Sequence, residues 1–147
     1  MMKPSAFLRQ LDHDRVVAAI REAEGRSRGE LRVHVANHEV GDVEQAAAKQ
    51  FEAFGMHATA EKTGVLIYVA PRSRKFAVIG DTGIHARCGP EFWKDVAAAM
   101  ESDFREGRFT DGIVKGLARA GDALAEHFPR APGTADTNEL PDEVTEE

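Results

Sequence analysis

Apolar positions in this chain recur with two different periods, and the changes of period mark its elements. From Asp12 to Glu24, Val16, Val17, Ile20 and Ala23 fall at helical spacing behind Asp12 or Asp14, either of which can cap a first turn. Gly25 and Gly29 bracket the exit of this helix. Leu31-Arg32-Val33-His34-Val35 then alternates strictly, the pattern of a strand with one buried face. After the loop Asn37–Asp42, the spacing predicts a second helix capped by Asp42. It carries Val43, Ala47, Phe51 and Phe54 on one face, and Gly55 is its stop.

Gly64 opens Val65–Ala70, which is apolar on both faces and therefore reads as a central strand. Pro71–Arg74 is turn chemistry, too short for a crossover, so Phe76–Ile79 returns antiparallel. The stretch Gly80–Cys88 reads as a polar loop at a strand end, holding a carboxylate, a hydroxyl, an imidazole and a thiol. A helix from about Pro90 to Glu106 presents Trp93, Val96, Met100 and Phe104, and Gly107 ends it. Thr110 or Asp111 caps the last helix, with Ile113, Leu117, Leu124 and Phe128 inward and Pro129 after it.

The order αβαββαα predicts an α/β fold, a three-layer α-β-α sandwich on a small mixed sheet of three to four strands. The first crossover should be right-handed and parallel, with the second strand central. Residues 1–128 form the domain, and residues 129–147 an acidic, flexible C-terminal tail in which only Leu140 and Val144 can dock. In this topology Glu30, His57, Thr59, Asp81, His85 and Cys88 gather at one rim of the sheet. His38, Asp42, the Arg72/Arg74 turn and the Gly107–Asp111 loop occupy the other.

Charge sharpens the picture. The tail holds six acids against one arginine, so most of the net charge of −6 resides there. Neither part carries a basic stripe with interleaved aromatics, which excludes a nucleic-acid partner. The single cysteine, Cys88, excludes an internal disulfide or a multi-cysteine zinc site. The longest apolar run, Val65–Ala70, is far short of the roughly 20 residues that span a bilayer, so no membrane partner is expected. The first fifteen residues reach charge too early for a signal peptide, and the reading is of a soluble cytoplasmic protein.

Asp12-His13-Asp14-Arg15-Val16 matches the string of aspartyl-phosphate hydrolases, but it opens a helix rather than closing a strand, so it reads as a cap. Asp81-Thr82-Gly83 matches the aspartic-protease triplet, whose folds are nearly all β, unlike this chain. Asp81 is read as a strand-end carboxylate able to hold a cation, against a turn residue bonding its own backbone. His57, His85 and Cys88 have no tight ligand spacing. Arg72, Ser73 and Arg74 read as a solvated turn, and Cys88 as a small hydrophobe.

Ala19–Val35, Phe54-Gly55-Met56 with Thr59, Gly64–Ile67, Phe76–Ile84 and Phe92-Trp93 through Gly112-Ile113, in this order and spacing, resemble a TPM domain. That family is named in part for a thylakoid-lumen acid phosphatase and occurs also as short bacterial proteins. The ending Phe128-Pro129 … Asn138-Glu139-Leu140-Pro141 is similar to the short, unanchored bacterial subgroup. The resemblance implies an α-β-α sandwich, acidic loops that take up a divalent cation, and acid phosphatase activity. Ca²⁺ comes first, with Mg²⁺ or Zn²⁺ as alternatives. Asp81 and Glu30 would be metal ligands, His85 or His57 a ligand or general acid, and Asp111 a rival ligand at the other rim with Asp42 or Asp103. The alternative is a non-catalytic module whose rim or tail engages a protein partner.

Overall fold

Ten elements follow one another in the computed structural model, which describes residues 4–130 and 144–146. They are α1 (Pro4–Gln10), α2 (His13–Arg26), β1 (Glu30–Val35), α3 (Val43–Ala53), β2 (Gly64–Ala70), β3 (Lys75–Gly80), α4 (Thr82–Cys88), α5 (Pro90–Arg105), α6 (Phe109–His127) and β4 (Val144–Glu146). The sheet order is β3-β2-β1-β4. β1 is parallel to β2 and β4, and β3 is antiparallel to β2. The mixed α/β sandwich read from the periodicity is therefore the observed architecture, with β2 inside the sheet.

Odd positions of the two inner strands face one layer and even positions the other. Leu31, Val33 and Val35 of β1 join Val65, Ile67 and Val69 of β2 beneath α2, α5 and α6. Leu66, Tyr68 and Ala70 face α3 through Ala47 and Phe51. α6 closes on its neighbours through glycine: a Cβ on Gly116 would lie 2.5 Å from Met100 Sδ, and one on Gly121 2.6 Å from Ala23 Cβ.

The structure departs from the reading of β1 as half-buried, because both of its faces are covered. Arg32 lays its guanidinium 3.8 Å from the centroid of the Phe54 ring at the end of α3, a cation–π contact. His34 meets the edge of Phe54 at 5.2 Å, and its Nδ1 lies 2.9 Å from the Thr145 hydroxyl on β4. Long polar side chains on the even face are thus buried by aromatic cover and by an added strand.

Other differences concern short elements. Gly80–Cys88 is no loop: residues 82–88 form α4, capped by Asp81. The last helix starts at Phe109 after Arg108, so neither Thr110 nor Asp111 is its cap. Thr110 instead receives the Asp12 backbone N–H on its hydroxyl, tying α6 to α2. Val144–Glu146, within the segment read as tail, pairs with β1, while Leu140 lies outside the described residues.

Candidate functional site

The first rim is built as the topology requires. Glu30 is in register with Gly64, and Val65 with Gly80. Asp81 follows, donating its N–H to Gly64 O at 2.9 Å. Its carboxylate accepts the Thr82 N–H at 2.7 Å, and its carbonyl accepts the His85 N–H at 2.9 Å. Asp81 is thus a helix cap, and one of its oxygens, Oδ2, is enclosed without a hydrogen bond. His85 is exposed one turn along α4, whereas Glu30 is buried on the α3 side of β1. His57 is exposed, and its backbone carbonyl accepts the Lys62 ammonium. Thr59 is buried, its hydroxyl taking the Thr63 N–H at 3.2 Å.

Glu61 is a rim carboxylate that the sequence pattern did not single out. Arg28 grips it with two bonds, Nε at 2.6 Å and Nη2 at 3.0 Å. That hydrogen bonding, with the guanidinium charge behind it, holds the Glu61 carboxyl below its ordinary value. Cys88 is half-buried, and burial, then the Glu126 charge, push its thiol above the usual range.

The acids of the opposite rim are engaged in local structure. Asp111 pairs with Arg15 at 2.9 Å, both half-exposed. Asp42 caps α3 by accepting the Gln45 N–H at 3.1 Å. Asp103 is buried between Lys115 and Arg108, each at 2.9 Å, and these two cations hold its carboxyl low. Among the described residues no three His, Cys, Asp or Glu side chains are grouped to hold a metal ion.

What this second rim does hold is a cleft of about 980 Å³ where the β2–β3 turn meets the α5–α6 connection and α1. Four phenylalanines from four elements join into one chain of rings along it. Phe7 and Phe109 are 4.9 Å apart, Phe109 and Phe104 5.8 Å, and Phe104 and Phe76 5.0 Å. Gly112 makes room for this, since a Cβ there would lie 2.6 Å from the Phe104 ring. Arg74, Lys75 and Arg105 stand around the mouth, with Glu101 bonded to Arg105 at 2.5 Å. Arg74 sits at φ +53°, a left-handed conformation unusual for a residue with a side chain. The turn is held there by its neighbours: Ser73 accepts the Val40 N–H at 2.8 Å, and Lys75 donates to Gly41 O at 2.6 Å.

A four-stranded mixed sheet with α3 on one face and α2, α5 and α6 on the other defines this protein as a small α/β sandwich. The model of the TPM domain matches residues 1–123, and the chain belongs to that family. Over 92% of both chains it is 36% identical to the BA42 protein of the psychrophilic bacterium Bizionia argentinensis, whose NMR structure superposes with a TM-score of 0.83. The solution structure of the N-terminal domain of a protein from P. gingivalis shares the fold, with a TM-score of 0.59 at 19% identity over 89% of this chain and 98% of that one. A search among curated proteins gives no match. No helix among the described residues is long and apolar enough to cross a membrane.

Proposed function

We propose that this TPM domain is a non-catalytic recognition module, and that the cleft beside the β2–β3 turn receives an apolar segment of a protein partner carrying acidic residues. One observation supports the reading above others: a continuous row of four aromatic rings, of which Phe76, Phe104 and Phe109 are partly exposed and Phe7 is buried at the end, lines a cleft between basic side chains. Aromatic rings flanked by arginine are the composition of binding hot spots. A fixed turn with Arg74 and Lys75 would draw carboxylates to the mouth while the rings take the apolar side chains. The test replaces Arg105, at the mouth, with a photo-crosslinking benzoylphenylalanine and irradiates the full chain in extract of its source cells. A discrete product is expected from position 105 and not from Arg119 on α6, and it should vanish with Phe104→Asp. Equal labelling from both positions would overturn the reading.

A second reading is favoured by a different observation, the enclosed Oδ2 of Asp81. Under it the first rim takes a divalent cation, Ca²⁺ before Mg²⁺ or Zn²⁺, with Glu30 and His85 as further ligands and weak acid phosphatase activity as its consequence. Calorimetric titration of parent and Asp81→Ala with each cation, followed by a phosphatase assay, tests it. Binding that survives Asp81→Ala but not Asp111→Ala would move the site to the other rim.

A further inference from the structure

The two edges of the sheet are treated differently. β4 caps β1, whereas nothing among the described residues pairs with the outer side of β3. The Asp81–Gly64 bond fixes which groups face outward there. Residues 81 and 64 are directly opposed and hydrogen-bonded, so Ile79, Ala77 and Lys75 also turn their backbone groups toward β2. The N–H and C=O groups of Phe76, Val78 and Gly80 therefore point away from the sheet. Edge strands are normally guarded by charge, proline or a bulge; β3 has a charge only at its first residue, Lys75, and none of these from Phe76 to Gly80. Phe76, Val78 and Ile79 are only partly buried.

We propose that a second copy of the chain adds to this edge, β3 against β3 and antiparallel about Val78, giving a two-fold dimer with one continuous eight-stranded sheet. Self-complementarity selects both occupant and register. Centred on Val78, the exchange of bonds runs Phe76 to Gly80, Val78 to Val78 and Gly80 to Phe76 of the other copy. The bulky side chain then faces the residue without one. Gly80 lies directly beneath the Trp93 ring, 2.3 Å from where a Cβ would stand, so Phe76 of the other copy comes up beside that indole. Lys75, exposed, falls opposite Asp81, and symmetry makes the pair twice. Registers centred on residues 76, 77, 79 or 80 set Lys75 opposite Ala77, Ile79 or Gly83, or leave it beyond the paired strand. Only the Val78 register opposes unlike charges. It also places the two aromatic clefts at opposite ends of the joined strands. The inference is independent of what those clefts bind.

Sedimentation equilibrium of the full chain from roughly 10 µM to 1 mM, where contacts of modest area associate, tests it. A monomer–dimer equilibrium is expected. Val78→Pro should abolish it while the chain still melts cooperatively, because that N–H serves no bond within the monomer and only the partly buried Val78 side chain is lost from the core. Lys75→Glu should weaken the dimer about tenfold, two attractive pairs having become repulsive, and Lys75→Gln, which removes the attraction without adding repulsion, should weaken it only about threefold. Amide exchange should show protection of Phe76, Val78 and Gly80 rising with concentration. A chain that stays monomeric, a dimer indifferent to Val78→Pro, or a Lys75→Glu dimer as tight as the parent's would overturn the proposal.

Discussion

Gly83 is where the account of the first rim can be broken by one methyl group. It sits in the first turn of α4, and that turn rests on backbone rather than on side chains. A Cβ at Gly83 would lie 2.1 Å from Glu61 O and 2.5 Å from Lys62 O. Ordinary contact begins near 3.4 Å, so either α4 or the approach to β2 must move by about 1 Å. Neither is free to do so. Ile84 donates to Lys62 O at 3.2 Å, and Asp81 is fixed both to Gly64 and to the Thr82 N–H. Overpacking of this kind costs about 1–3 kcal/mol, and loss of the Ile84 bond about 1 kcal/mol more. At about 3 °C per kcal/mol for a chain of this size, Gly83→Ala should lower the melting temperature by about 6–12 °C. Gly25→Ala is the control, since Gly25 lies in α2 with nothing within 4 Å of its added Cβ. That change should raise the melting temperature by about 1–3 °C through helix propensity and reduced freedom of the unfolded chain. Far-UV circular dichroism melts of both variants supply the comparison. Melting of Gly83→Ala within about 2 °C of the parent would refute the docking of α4 on those carbonyls.

Asp103 is held below its ordinary value of 3.8 by Lys115 and Arg108, so its stabilisation is present above the unfolded value and lost as pH falls through the lower folded one. Melts across pH should therefore show the gap between parent and Asp103→Asn closing below about pH 3.8, and a gap constant down to pH 2 would contradict this. Deleting residues 144–147 removes the Thr145 contacts with His34 and Val33 and should cost about 1–2 kcal/mol, or about 3–6 °C in the same melt; no change would mean that β4 adds nothing. With its thiol pushed up by burial and by Glu126, Cys88 should react with iodoacetamide at neutral pH at least about threefold more slowly than a free cysteine, and an equal rate would count against the buried setting.

The long elements were legible because each has a face to bury. Val16/Ile20/Ala23 and Trp93/Val96/Met100 fall at helical spacing, and Val65–Ala70 is apolar throughout; these positions are the observed core. The short elements have no period to read. α4 is seven residues with a glycine in its first turn, and it forms because Asp81 caps it and the carbonyls before β2 receive it. β4 is three residues whose partner lies more than a hundred positions away. The placement of Glu30, Gly64 and Asp81 at one rim followed from strand directions alone. Their engagements did not follow, because a cap, an ion pair and an open carboxylate look alike in sequence. Least legible was the aromatic row: Phe7, Phe76, Phe104 and Phe109 belong to four different elements, and only the packed fold brings their rings together.

Amide chemical-shift mapping on the ¹⁵N-labelled full chain tests most directly which rim recognises a ligand. The anionic aromatic probe anilinonaphthalene sulfonate and Ca²⁺ are titrated separately. The probe should move the amides of Phe76, Phe104 and Phe109 and those of Arg74 and Lys75, and Arg74→Glu should weaken its binding about tenfold, the scale of one desolvated charge contact. Shifts confined to Asp81, Thr82 and His85, or probe binding indifferent to Arg74→Glu, would contradict the claim that the aromatic cleft is the recognition surface.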